Sequence, residues 1–257
     1  MTKTEIIQTY KTRKKDARRA FKKEKSTLRL EYLSQMQAYR KQTDKQNVIN
    51  PPKRPALEEI GNAITHGVGT IFSFIAYILM LIASDTAVEK VAATLYFFGL
   101  CVMFTMSCLY HSFRHGSTVK RIFRRFDYSS IYLLIGATFA PILLCFVGGV
   151  FGTVFLIVQW LIIATGITFV GVFGPTKLKR LHMTLYIVLG WSGLLFLPQM
   201  ITGNPALFWY ILSGGVIYSL GIIPFVMKRN SSHFIWHFFV LGGAIAQWLG
   251  IYLHLYL

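Results

Sequence analysis

Carboxylates are the scarcest chemistry in this sequence. Ten Asp and Glu stand among 257 residues against 27 Lys and Arg, and none follows Asp127, so residues 128–257 contain no acid. Charged residues make up 14% of the chain and hydrophobic ones 54%, whereas a soluble domain carries about 25% charged residues. That excludes a soluble domain over the second half and implies several membrane spans. Cysteine is rarer still. Cys101, Cys108 and Cys145 are odd in number, lie in apolar runs and form no C-x-x-C. Neither a disulfide framework nor a thiolate metal cluster follows, and the three are expected as buried reduced thiols. The polar opening lacks an apolar core with a small-residue cleavage site, so no secretory signal is expected.

Residues 1–50 also lack Gly and Pro, the usual interrupters of a helix. They are rich in Lys, Arg, Gln, Glu, Leu and Ala, and Tyr10, Ala17, Phe21, Leu28 and Tyr32 follow a 7-4-7-4 spacing. This predicts a basic helix with a thin apolar stripe. It suits a solvated or weakly self-associating rod, or a helix lying on anionic lipid. The net charge of +17 does not call for nucleic acid, because most of it sits beside a membrane whose anionic headgroups are the nearer partner. Pro51, Pro52 and Pro55 end the helix. The expected organisation is a basic cytoplasmic helical extension over 1–50, a Pro-rich linker over 51–57 and a seven-helix transmembrane domain over 58–257.

Seven apolar runs, roughly 61–83, 91–112, 127–147, 151–173, 181–200, 206–227 and 234–256, each approach the length that about 30 Å of hydrocarbon requires. Pro141 is expected to kink the third and Pro224 lies near the end of the sixth. If alternate connections are pooled, 26 of the 27 basic residues fall on one side and only Lys90 on the other. The side rich in Lys and Arg faces the cytoplasm, so the N-terminus is expected inside and the C-terminus outside. The fold class is therefore an all-α integral membrane protein, a seven-transmembrane-helix bundle preceded by a basic helix, in the cell membrane.

The polar residues then sort by depth. His111 ends the second span, Asp127 begins the third, and His233 and His237 begin the seventh at helical spacing i, i+4, so their rings share a face. Ser107 lies one turn before His111. Glu59, Asn62 and His66 share one face at the start of the first span, and His182 begins the fifth. All lie near the cytoplasmic edge. Each alone has a plain reading: two hydrogen-bonding histidines, an interface residue, a helix cap, a small residue at a helix contact. Together, three neutral imidazoles with an open position describe a catalytic zinc site. Asp127 would serve as general base or orient a ligand, and Ser107 as a supporting donor. Imidazole favours zinc over magnesium or calcium, with iron, copper and nickel still open. Glu59, Asn62 and His66 read first as capping and helix-contact residues, with a supporting or entrance role as the alternative.

These stretches resemble a known family. Glu58-Glu59-Ile60-Gly61-Asn62-Ala63-Ile64-Thr65-His66, Ser107-Cys108-Leu109-Tyr110-His111, Asp127-Tyr128-Ser129 running on to Gly136-Ala137-Thr138-Phe139-Ala140-Pro141, His182 through Gly190-Trp191, and His233 through His237 are similar to the hemolysin III family. That family is the bacterial branch of the progestin and adipoQ receptor group and is related to alkaline ceramidases. The resemblance covers about 57–257. It implies seven spans with the N-terminus inside, zinc on His111, His233 and His237, and hydrolysis of a lipid amide. It says nothing about residues 1–50.

Fold does not fix activity, and three functions follow. The first is a zinc-dependent hydrolase of a lipid amide, with membrane lipid as substrate. The second is a pore or hemolytic protein, although few polar residues lie at mid-membrane depth. The third is a metal-stabilised scaffold or sensor in lipid homeostasis.

Overall fold

The computed structural model describes residues 2–227 and 229–257, and the side chains of all of these except 40–49. Lys228, one of the basic residues used above for orientation, lies outside the described residues. The chain forms two compact units, Met1–Ile49 and Asn50–Leu257. No strand occurs among the described residues.

The first unit is one helix, α1 (Lys3–Ile49). Its first turn is closed by a reciprocal pair, in which Glu5 N–H donates to Thr2 Oγ1 (3.4 Å) and Thr2 N–H donates to Glu5 Oε2 (2.7 Å), an arrangement that satisfies otherwise orphaned donors.

Among the described residues the second unit holds seven helices long and apolar enough to cross a membrane. They are α2 (Ala56–Ile82), α3 (Ala87–Ser112), α4 (Thr118–Pro141), α5 (Gly149–Phe173), the pair α6 (Lys179–Trp191) and α7 (Leu197–Gly203), α8 (Pro205–Val226) and α9 (Ser232–Leu255). Two spans are not uniform α-helix. Pro141 has no N–H to donate, and beyond it the ladder lengthens into a π-helical stretch, Ile142–Val147, where Gly148 N–H bonds Leu143 O at 3.0 Å. Between α6 and α7 the chain tightens to a 3-10 turn, Ser192–Phe196. Pro198, in the first turn of α7, cannot continue a ladder from upstream but suits the start of a helix.

Local signals set where the helices begin. Thr86 and Glu89 form a capping box at α3. Ser117 accepts from Lys120 N–H at 3.1 Å and starts α4 at Thr118, nine residues ahead of the apolar run that marked the third span. Asp127 is therefore in the third turn of α4 and is not its cap. That early start also brings Lys120, Arg124 and Asp127 onto one buried face at spacings of four and three.

Helix α3 packs between α2 and α4, and α9 packs against both α2 and α8. Small residues allow these approaches. A Cβ on Gly69 of α2 would stand 2.4 Å from the Phe104 ring of α3, and one on Gly243 of α9 would stand 2.9 Å from Tyr218 of α8. Tyr96, Leu100, Phe104, Ala137 and Ile251 are fully buried between the spans, while Val150, Phe151, Leu161 and Val172 of α5 are exposed, as a face toward hydrocarbon requires. The packing brings the start of α2, the end of α3 and the start of α9 to one end of the bundle, and the polar residues collect there.

Candidate metal centre

His111 sits in the last turn of α3, and His233 and His237 in the first turns of α9. One ligand atom from each lies within 4.8 Å of the others, and among the described residues this is the group of three that can hold a metal ion. The Nε2 atoms of His233 and His237 stand 3.3 Å apart. Two bonds of about 2.0–2.1 Å at the tetrahedral angle place their nitrogens about 3.3 Å apart, so this pair already has the spacing of two zinc ligands.

His111 is oriented from its other side. Its Nδ1 meets Glu59 Oε2 at 2.5 Å and lies 3.3 Å from Asn62 Nδ2. A carboxylate only accepts, so Nδ1 donates to it and Nε2 is left as a lone pair. That Nε2 is buried and has no hydrogen-bond partner among the described residues. An orphaned buried acceptor facing two more imidazoles is the feature a cation would satisfy. A histidine ligand whose second nitrogen donates to a carboxylate is also the usual arrangement around zinc. The donor set fits zinc, and all three imidazoles are available as neutral ligands.

Glu59 is held in turn. Lys120 Nζ lies 3.1 Å from its Oε1 and 4.9 Å from the centre of the Tyr110 ring. Lys120 is 1% exposed, and a buried ammonium is tolerated only when paired. The neighbouring acid, Glu58, ties α2 to α9: its Oε2 accepts from Ser231 N–H at 3.1 Å, and its Oε1 is 3.7 Å from Arg54 Nε. Ser231 adopts φ 62°, a left-handed conformation for the residue that caps α9.

Asp127 is not a member of the three-histidine group among the described residues. Ser107 lies beside its carboxylate, and Arg54, Arg124 and Lys120 supply positive charge around it. Ser107, one turn before His111 on α3, and Asp127 of α4 are both buried. His66 lies flat against His237, with ring centres 3.8 Å apart, and edge-on to Phe104; it backs the centre without offering it a nitrogen. His182 stands apart, bonded through Nδ1 to the Tyr132 hydroxyl at 2.9 Å. The expected residues therefore divide. His111, His233 and His237 converge, Glu59 and Asn62 meet His111, Asp127 and Ser107 lie side by side outside the three-histidine group, and His66 stacks.

Sequence reasoning missed Arg54, Lys120 and Arg124, and the connection through Glu58. A signal existed for two of them: with Ser117 taken as a cap, residues 120, 124 and 127 fall on one helix face.

The bundle and its histidine cluster define a multi-pass membrane protein with a buried site, at one end of the spans, that can hold a metal ion. The model of a family described as "Haemolysin-III related" matches residues 55–248, and the chain belongs to that family. It is 37% identical over 194 residues to "Hemolysin-3" of Bacillus cereus, covering 73% of this chain and 87% of the relative. Against the "Hemolysin-3 homolog" of Bacillus subtilis (strain 168) the identity is 34% over 195 residues, covering 74% and 91%. The "Monocyte to macrophage differentiation factor" of Homo sapiens is 30% identical over 212 residues, covering 79% and 87%.

Proposed function

We propose that the chain is a zinc-dependent hydrolase of a membrane lipid amide, with His111, His233 and His237 as the ligands and the centre at the cytoplasmic end of the bundle. The observation that carries this reading is the partnerless, buried Nε2 of His111 facing two imidazole nitrogens already at zinc spacing. When bound, such an ion supplies a Lewis acid for a carbonyl oxygen and a source of hydroxide near neutral pH.

The remaining chemistry belongs to the side chains. Glu59 fixes the tautomer and direction of the His111 ring, and Lys120 pairs with its other oxygen. Asp127, beside Ser107, is assigned as the group that takes a proton from water and returns it to the leaving amine. The balance is simple: water oxygen bonds the carbonyl carbon, the carbon–nitrogen bond breaks, and the amine leaves with the proton.

An apolar cleft between α4, α6, α8 and α9 supports a lipid substrate. Ile135, Trp191, Phe208 and Val240 are among its walls. Phe225 and Trp236 also line it, and the Phe225 ring centre lies 6.2 Å from that of His233. An acyl chain in the cleft would end one aromatic ring from the centre. In the test, purified wild type and His237→Ala are offered labelled lipid amides. Turnover is expected from wild type alone, and equal turnover, or none by either, removes the reading.

A metal-stabilised scaffold or sensor is the second reading, favoured by the Glu58–Ser231 link, which already joins α2 to α9 beside the histidines. In that case loss of the histidines lowers thermal stability and no catalysis is lost. A pore finds less support. Gln159 Nε2 donates to Ser192 Oγ at 3.2 Å and Gln247 Nε2 to the Ile211 carbonyl at 3.4 Å, so both mid-membrane amides make helix contacts, whereas a conducting path calls for polar residues through the full depth. Conductance of purified protein in planar bilayers would reverse that judgement.

A further inference from the structure

The seven-span unit leaves α1 without a task, and the family match begins only at residue 55. This helix poses a physical problem by itself. Tyr10, Phe21, Leu28, Tyr32 and Tyr39 are each 59–67% exposed. At 100° per residue they fall, with Ala17, within about 60° of one another around the helix, so the exposed aromatics form one stripe. The charges are also sorted. Residues 3–39 carry eleven Lys and Arg against four acids. Six of the eleven, Lys11, Lys15, Arg18, Lys22, Lys25 and Arg29, lie on one flank of the stripe, about 90° away, with no acid among them. Glu5, Asp16, Glu24 and Glu31 lie on the other flank, together with Arg13 and Lys23.

We propose that α1 is a surface helix that binds the anionic leaflet to which it is tethered. It lies with its aromatic stripe in the headgroup region, rolled so that the Lys/Arg flank turns toward lipid phosphates and carboxylates and the acidic flank turns toward water. This is independent of the hydrolase reading. Three observations select this occupant. The excess of positive charge on one flank complements an anionic bilayer. Tyr and Phe are residues that favour the membrane–water boundary. Only residues 50–55 separate the end of α1 from a transmembrane helix, a span of at most about 20 Å, so the lipid surface is always within reach. A second copy of α1 is a poorer partner. A coiled-coil seam through the stripe would also need apolar side chains near positions 14, 24 and 35, where Lys14, Glu24 and Gln35 stand.

The test uses the full chain in nanodiscs, one chain per disc, in neutral phosphatidylcholine or in the same lipid containing phosphatidylserine. Backbone hydrogen exchange over residues 3–39 is followed by mass spectrometry. Exchange is expected to slow at least tenfold in the anionic discs, and high salt should reverse the effect. Lys22→Glu with Arg29→Glu should abolish the slowing, Phe21→Asp should weaken it severalfold, and Glu24→Lys, on the water-facing flank, should preserve it. Rapid exchange in both lipids overturns the proposal in favour of a solvated rod. Slow exchange in both overturns it in favour of a protein contact, as does slowing that appears only with two chains per disc. Equal loss from Glu24→Lys and from the Lys22, Arg29 reversal overturns the stated roll.

Discussion

Glu59→Gln separates two jobs that one carboxylate performs. Its Oε1 lies 3.1 Å from Lys120 Nζ, and its Oε2 lies 2.5 Å from His111 Nδ1. At an effective dielectric of about 20, two unit charges at that first distance attract by about 5 kcal/mol. Neutralising the acid takes the hydrogen-bonded carboxylate from an ammonium that is 1% exposed, leaving the Tyr110 ring and the charge of Asp127 to face it. Breaking one side of a buried pair costs about 3–5 kcal/mol, and that loss should appear in reversible unfolding in detergent. The second job concerns the ligand. Removing the group that orients a metal-bound histidine lowers metal affinity about 10–100-fold, equivalent to about 1.4–2.7 kcal/mol, read by competition with a chelator. The double variant Glu59→Gln, Lys120→Met divides the two effects. With both charges gone, most of the lost stability should return, because an apolar side chain of similar length replaces the ammonium. Zinc affinity should remain low, because the His111 ring still lacks its carboxylate. If zinc affinity recovers together with stability, Glu59 acts only as the partner of Lys120 and the orienting role is refuted. If Glu59→Gln changes neither quantity, the buried pair itself is refuted.

Three further outcomes are expected. His111→Ala, His233→Ala and His237→Ala, purified without added metal, should each fall from one zinc per chain to none with helix content unchanged by circular dichroism; full retention by any one removes that residue from the ligand set. Gly69→Ala should destabilise the bundle by about 1–3 kcal/mol, since its Cβ would stand 2.4 Å from the Phe104 ring, and Phe104→Leu in the same chain should recover part of the loss. Ser231→Gly should raise stability by up to about 1 kcal/mol by relieving the left-handed backbone at φ 62°. Ser231→Pro should lower it, because the N–H that Glu58 accepts is gone; melting temperatures of the two variants should move in opposite directions.

The spans were legible because each apolar run matches the thickness of a bilayer, and the histidines were legible because helical spacing and depth put them at one end. The start of α4 was not. Residues 118–126 include Lys120, Arg121, Arg124 and Arg125, and a window that averages hydropathy sees a polar loop there. Folded, the same stretch is an amphipathic helix whose inward face pairs with acids from elsewhere. The break in the fifth span was hidden for a related reason: Pro198 lies in an apolar run that looks continuous by composition, while the hydrogen-bond ladder must restart at it.

The partner of His111 was the hardest to read. Depth alone offered Asp127 and Glu59 equally, and Asp127 stood out by its isolation in sequence. The choice is made by the packing of α2 on α3, which turns the 59–62–66 face of one toward the last turn of the other, and no spacing within either helix encodes that. The resulting cluster carries its own arithmetic of charge. Glu58 and Asp127, both buried, and the half-buried Glu59 stand near Arg54, Lys120 and Arg124, three against three, and the imidazoles that face the centre are neutral as ligands. A divalent ion there is left with no protein charge to balance it, in a region where unbalanced charge is costly. The site should therefore favour an anion at the open position. With cobalt(II) in place of zinc, azide should bind and shift the visible spectrum of the protein. The shift should be stronger in Glu59→Gln, where one more negative charge has been removed, than in wild type. Spectra that ignore azide in both proteins would contradict the charge count and leave the fourth position to a neutral ligand.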